Sequence, residues 1–144
     1  MRNGHTLGEL IVTAAIIGTL ATTAMPRLGR LRDQAAVHAA ASTLRAALAM
    51  ARDAAMTRAT PILATIDPTR SSVVVVELGG DTLLDQPLDA ERQTQLSASR
   101  DTVRYGPSGR AIGASNTTLI LRRRAAAETV TVSRLGRVRL GSGR

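Results

Sequence analysis

Arg134, Arg137 and Arg139 are the side chains of this 144-residue chain best spaced to do chemistry. Along an extended strand alternate residues share a face. Arg137 and Arg139 therefore point one way while Val138 and Leu140 point to the core, and Arg134 falls on the preceding turn at 134–136. Guanidinium groups fork onto phosphate oxygens better than ammonium groups do. A row of them tracks a phosphate backbone and is indifferent to sequence. Arg122, Arg123 and Arg124 lie close in sequence and extend the same patch. Tyr105 is the one aromatic residue, so the chain offers no platform on which bases could stack. The chemistry implied is ionic binding. The same residues also suit a plain, solvated closing strand.

A second group lies at the other end. Glu9 directly precedes an uncharged run, residues 10–25, that with residues 5–9 reaches the roughly 20 residues needed to span a bilayer. An ionised carboxylate there costs about 2.5–3.5 kcal/mol on insertion scales, so a simple anchor would avoid it. It becomes tolerable when an opposite charge pairs with it inside the low-dielectric site. A secretory signal peptide would need a basic leader and a small-residue cleavage site after the run. Here Arg2 is the only leader charge, Ala21–Ala24 is a weak cleavage site, and Glu9 argues against that reading. Arg27, Arg30 and Arg32 follow the run and, taken alone, would place the C-terminal part in the cytoplasm. An uncleaved single-pass membrane protein with a small sheet domain is a further alternative.

Catalytic arrangements are absent from the pattern. There is no cysteine, which excludes disulfides and cysteine-based zinc sites. His5 and His38 are the only histidines, and neither has a serine–aspartate context. Asp81, Asp85 and Asp89 recur every four residues, but the spacing is not that of a calcium-binding loop. No metal, no cofactor and no enzymatic activity are expected. The first 99 residues carry nine arginines against nine carboxylates, and the last 45 carry ten against Asp101 and Glu128. The whole excess of +8 thus sits in the last third, all of it as arginine.

The elements that must position these groups read as α+β. Residues 28–59 are helical, with Leu44, Leu48, Ala51 and Ala55 on one face, Arg45 and Arg52 elsewhere, and Pro61 as the stop. Together with the apolar run they form one long helix, weakened at Gly18 and Pro26. After Pro61 strands are expected at 61–67, 72–78, 82–88, 103–105, 117–122, 129–133 and 137–140, with a weak one at 94–98 in an otherwise loop-like 89–101. The fold class is a long helix, hydrophobic and then amphipathic, packed on an antiparallel β-sheet domain.

The N-terminus resembles the processing signal of type IV prepilins and type II secretion pseudopilins. That pattern is a Gly, then Phe-Thr-Leu-Ile-Glu, an apolar helix and a Pro. This chain has Gly4, then His5-Thr6-Leu7-Gly8-Glu9, the run 10–25, and Pro26. His5 replaces the usual Phe, and Gly8 an apolar residue. The later part is similar to the GspH/FimT branch of minor pseudopilins and minor pilins. The likeness lies in Val103-Arg104-Tyr105-Gly106-Pro107-Ser108-Gly109-Arg110 and in residues 129–139, TVTVSRLGRVR.

The resemblance implies the pilin fold and four parts. These are a leader at 1–4, a membrane and assembly helix at 5–26, an amphipathic half at 27–60 and a β domain at 61–144. It implies cleavage after Gly4 by a prepilin peptidase and N-methylation of His5. Glu9 would pair with a neighbouring subunit's N-terminal ammonium, with Pro26 as the other assembly residue. The chain would sit in the inner membrane with its β domain in the periplasm, then join other pilins in a filament or at the cell surface. FimT-like members bind DNA in natural transformation through Gly-Arg-x-Arg, here Gly136-Arg137-Val138-Arg139. Other relatives close the same fold with this motif and bind no DNA.

Overall fold

A computed structural model of the chain describes residues 6–89, 93–113 and 116–142. Helix α1 covers Leu7–Arg58, Pro26 included. Nine strands follow among the described residues: β1 (Ile62–Asp67), β2 (Ser72–Glu77), β3 (Thr82–Pro87), β4 (Gln95–Ala98), β5 (Thr102–Tyr105), β6 (Ala111–Ile112), β7 (Thr117–Arg123), β8 (Ala126–Val132) and β9 (Val138–Ser142). The chain divides into two compact units, Met1–Arg32 and Asp33–Arg144.

In the first unit the helix buries almost nothing. Thr6 accepts a hydrogen bond from the Glu9 N–H through Oγ1 at 3.4 Å and through its carbonyl at 3.0 Å, which makes it the N-cap. Glu9 lies in the first turn, where the helix dipole favours a carboxylate. Leu10, Ile11, Val12, Ile16, Ile17 and Leu20 are all more than half exposed.

The second unit is built on the other half of α1. Val37, Ala40, Ala41, Leu44, Ala47, Leu48, Ala51 and Ala55 are buried in a stripe of helical period. The four positions singled out by the helical pattern, 44, 48, 51 and 55, are all in it. Against this stripe lie two antiparallel sheets rather than one, in the orders β3-β2-β1-β5-β6 and β4-β7-β8-β9. The first gives Ile62, Ala64, Ile66, Val73, Val75, Val103 and Tyr105 to the core, and the second gives Leu96, Leu119, Leu121, Val130 and Val132. Alternate residues point inward, as a half-buried strand requires. The split arises because β4 pairs with β7 while β5 returns to β1.

Most strand limits fall within one or two residues of expectation; β8 and β6 differ more. β8 starts at Ala126, three residues early, because Arg123 pairs across to Ala126 in a tight hairpin. β6 is two residues long and was not expected, since two residues carry no period.

Three local contacts fix this unit. Asp33 is 6% exposed. Its Oδ1 lies 3.0 Å from Arg123 Nε and its Oδ2 3.4 Å from Arg124 Nη1. Arg123 Nη2 also donates to Gln93 Oε1 at 2.7 Å, so its guanidinium ties the helix to β7 and to the start of β4. At the helix end, Arg58 Nη1 and Thr60 Oγ1 both donate to Glu77 of β2, each at 2.9 Å. Those bonds, Thr60 first, hold the Glu77 carboxyl below its ordinary pKa. The third contact joins the β5–β6 turn to the β8–β9 turn. Arg52 Nε donates to the Gly109 carbonyl at 2.9 Å, and Gly136 packs against that same carbonyl with φ at 73°.

Two stability outcomes follow from these contacts. Asp33→Asn leaves the nearly buried Arg123 without its counter-charge and should cost about 3–5 kcal/mol in denaturant unfolding of the chain. Gly136→Ala should cost more than Gly79→Ala, although both glycines have positive φ. A Cβ at Gly79 meets nothing within 4 Å, so only the backbone term of about 1–2 kcal/mol applies. One at Gly136 would clash with the Gly109 carbonyl oxygen. Equal costs for the two variants would contradict the proposed contact.

Candidate functional site

The arginines of the last third fall into two groups. Arg137 and Arg139 are exposed, while Val138 and Leu140 are partly buried and pack on the core, as alternation along the strand requires. Arg137 sits one residue before β9, where its carbonyl accepts from the Ser133 N–H at 2.9 Å and closes the turn. Arg134 is exposed on that turn. Among the described residues, the side chains of Arg134, Arg137 and Arg139 make no ion pair. Arg122 is exposed on β7, opposite Ala127 of β8. Arg139 lies opposite Thr131, four residues further along β8 on the same outer face, roughly 13 Å away along the strand.

Arg123 does not extend this patch as expected. The Arg123 side chain is 10% exposed and held by Asp33 and Gln93. Arg124 remains 76% exposed, with Nη1 3.4 Å from the same carboxylate, at a left-handed backbone position of φ 51°. Strand alternation explains the difference: Leu121 and Arg123 face inward, Arg122 outward.

The helix supplies what sequence reasoning did not assign. A cleft of about 430 Å³ is lined by Arg45, Arg52, Asp53 and Met56 of α1 and by Arg137 and Arg139. Arg45 is exposed, and among the described residues its side chain has no hydrogen bond or ion pair. Arg52 is half-buried and fixed to the Gly109 carbonyl of the β5–β6 turn, against which Gly136 of the β8–β9 turn packs. The signal for both was in the sequence: they are seven residues apart, off the buried face. Tyr105 is fully buried beside Gly136. Burial pushes its phenol up to about 12.

At the other end, Gly4 and His5 lie outside the described residues. Glu9 and Pro26 both lie within α1. The helix is long and apolar enough to cross a membrane. His38 reaches Glu128, with Nδ1 3.2 Å from the carboxylate, and links α1 to β8. Asp89 accepts from the backbone N–H groups of Gln93 and Thr94 and shapes the approach to β4.

Comparison with known proteins locates this architecture. The type IV minor pilin FimU of Pseudomonas aeruginosa superposes with a TM-score of 0.64 at 16% identity, over 73% of this chain and 87% of that one. The minor pseudopilin EpsH of the Vibrio cholerae type 2 secretion system superposes at 0.61 and 15% identity, over 74% and 96%. No curated protein matches the chain significantly in sequence. The family model for the type II transport protein GspH matches residues 40–136, about two-thirds of the chain, and stops one residue before Arg137. A long N-terminal helix, antiparallel sheets packed on its second half, and that match together establish that the chain belongs to the GspH family of minor pilins and pseudopilins.

Proposed function

We propose that the chain is processed after Gly4 by a prepilin peptidase and methylated at His5. It is then held in the inner membrane by its N-terminal helix, with the β domain in the periplasm, until it enters a type IV pilus or type II secretion pseudopilus. The observation that carries this reading is the first half of α1: consecutive turns of large apolar side chains with no cover from their own unit, and one carboxylate in the first turn. Lipid covers such a surface before assembly, and helices of neighbouring subunits cover it afterwards. Glu9 gives the second state its register. When lipid and water give way to packed helices, its carboxylate is stabilised by a neighbour's N-terminal ammonium, and an axial slip would separate the two charges. Pro26, at the end of the apolar run, breaks one backbone hydrogen bond and lets the helix adjust locally.

A second reading is that the subunit also binds DNA without sequence preference. It is favoured by the exposed Arg137 and Arg139 beside the arginine-lined cleft. Guanidinium contacts to phosphates alone give this kind of binding.

Each reading has its own test. Glu9→Leu should still insert in membranes but lose at least about tenfold in recovery from purified filaments, since a neighbour's ammonium would be left without its counter-charge. Incorporation at the parental level would refute the role given to Glu9. In mobility shifts with the full chain in non-ionic detergent, the double variant Arg137→Ala, Arg139→Ala should bind duplex DNA at least about tenfold more weakly. Its plot of log affinity against log salt should flatten by about 1.8, for two lost phosphate contacts. Unchanged affinity would exclude these arginines as the DNA contact.

A further inference from the structure

We infer that the anion site is a two-walled cleft in which Arg45, on the helix, is a phosphate-binding residue opposite Arg137 and Arg139, and Asp53 sets an upper limit on its affinity. The inference rests on the DNA reading above and adds the helix to it.

Three observations carry it. First, Arg45 lines the same cleft as Arg137 and Arg139 although it is more than ninety residues away in sequence. Its guanidinium is solvated, whereas the neighbouring Arg52 is tethered to the Gly109 carbonyl. The two helix arginines thus divide the work: Arg52 is a positioning residue, and Arg45 is available to a ligand. Second, the cleft continues along the helix. A shallower groove of about 240 Å³ runs from Ala49 and Arg45 back to Ala46 and Ser42. Its walls are small residues, which let a bulky backbone approach closely. Residues 42–56 of a helix span roughly 21 Å, so the ligand that fills both parts is long rather than a single small anion. Third, the positive surface is wider than the cleft. Arg134 and Arg122 stand exposed on the same sheet and beyond it, and among the described residues Asp53 is the only carboxylate in the lining. A surface this broad fits a duplex better than a single acidic peptide strand.

Charge explains what each side chain contributes. Arg45, Arg137 and Arg139 approach the phosphates of a linear backbone from two sides, which restricts the ligand to the line of the cleft. Asp53 repels the same phosphates. Removing it should strengthen binding, an effect that damage to the fold would not produce.

The test uses the full chain in non-ionic detergent and a fluorescently labelled duplex of mixed sequence, titrated across a range of NaCl. Arg45→Ala should weaken binding by about threefold to tenfold and flatten the salt slope by about 0.9, one phosphate contact. Asp53→Asn should tighten binding by about twofold to threefold. Arg70→Ala, an exposed arginine in the β1–β2 turn of the other sheet, is the charge-matched control and should change neither. If Arg45→Ala behaves like Arg70→Ala while the Arg137, Arg139 double variant loses binding, the second wall is refuted and the DNA reading stands. If the unmodified chain binds no duplex at low salt, both fail together. If polyglutamate of matched charge displaces the duplex as well as unlabelled DNA does, the cleft belongs to an acidic protein partner and the phosphate assignment is overturned.

Discussion

An apolar helix that finds nothing to pack against within its own unit must be covered by something else. That constraint governs this protein. In the first half of α1, large aliphatic side chains from Leu7 to Leu31 stand more than half exposed. Covering each is worth about 1.5–3 kcal/mol. In the second half the same helix has its cover built in: a stripe of alanines, two leucines and Val37 lies under two sheets of the same chain. One 52-residue element therefore serves two environments, and the change falls near Arg32 and Asp33. Asp33 marks it chemically, as the first residue of the covered part and the one that draws Arg123 into the interior.

The small-residue core has consequences for the arginine strand. Alanines at 40, 41, 47, 51 and 55 give little side-chain bulk, so the fold gains much of its definition from contacts at the edges of the core. The tightest is the stack of Arg52, Gly109 and Gly136, with Tyr105 beneath. Gly136 is needed there for its positive φ and its missing Cβ, whatever the surface outside it binds. The glycine of Gly-Arg-x-Arg is thus explained by packing. The two arginine side chains are not: they face solvent, and among the described residues they make no hydrogen bond or ion pair. The motif combines one residue that the fold requires with two side chains that it leaves available.

Much of this was legible in the sequence, and the physical reason is periodicity. The buried face of α1 was readable from Leu44, Leu48, Ala51 and Ala55, and the orientation of Arg137 and Arg139 from strand alternation. Illegible features depend on pairing between distant segments. The single expected sheet is two, because β4 joins β7 while β5 goes back to β1, and no local pattern records that exchange. Arg123 looked like part of an arginine run, yet its partner Asp33 is ninety residues earlier. The helical pattern places Arg45 only off the buried face, and the tertiary fold brings it to the line of Arg137 and Arg139.

On the proposed reading, this helix is cut from its leader and then covered by its neighbours. Mass spectrometry of the N-terminus, on chain made in a cell with an active prepilin peptidase, tests it most directly. The account predicts a mature chain that begins at N-methylated His5. A chain that keeps Met1, or one cut near residues 21–24 as a secretory signal would be, would contradict it.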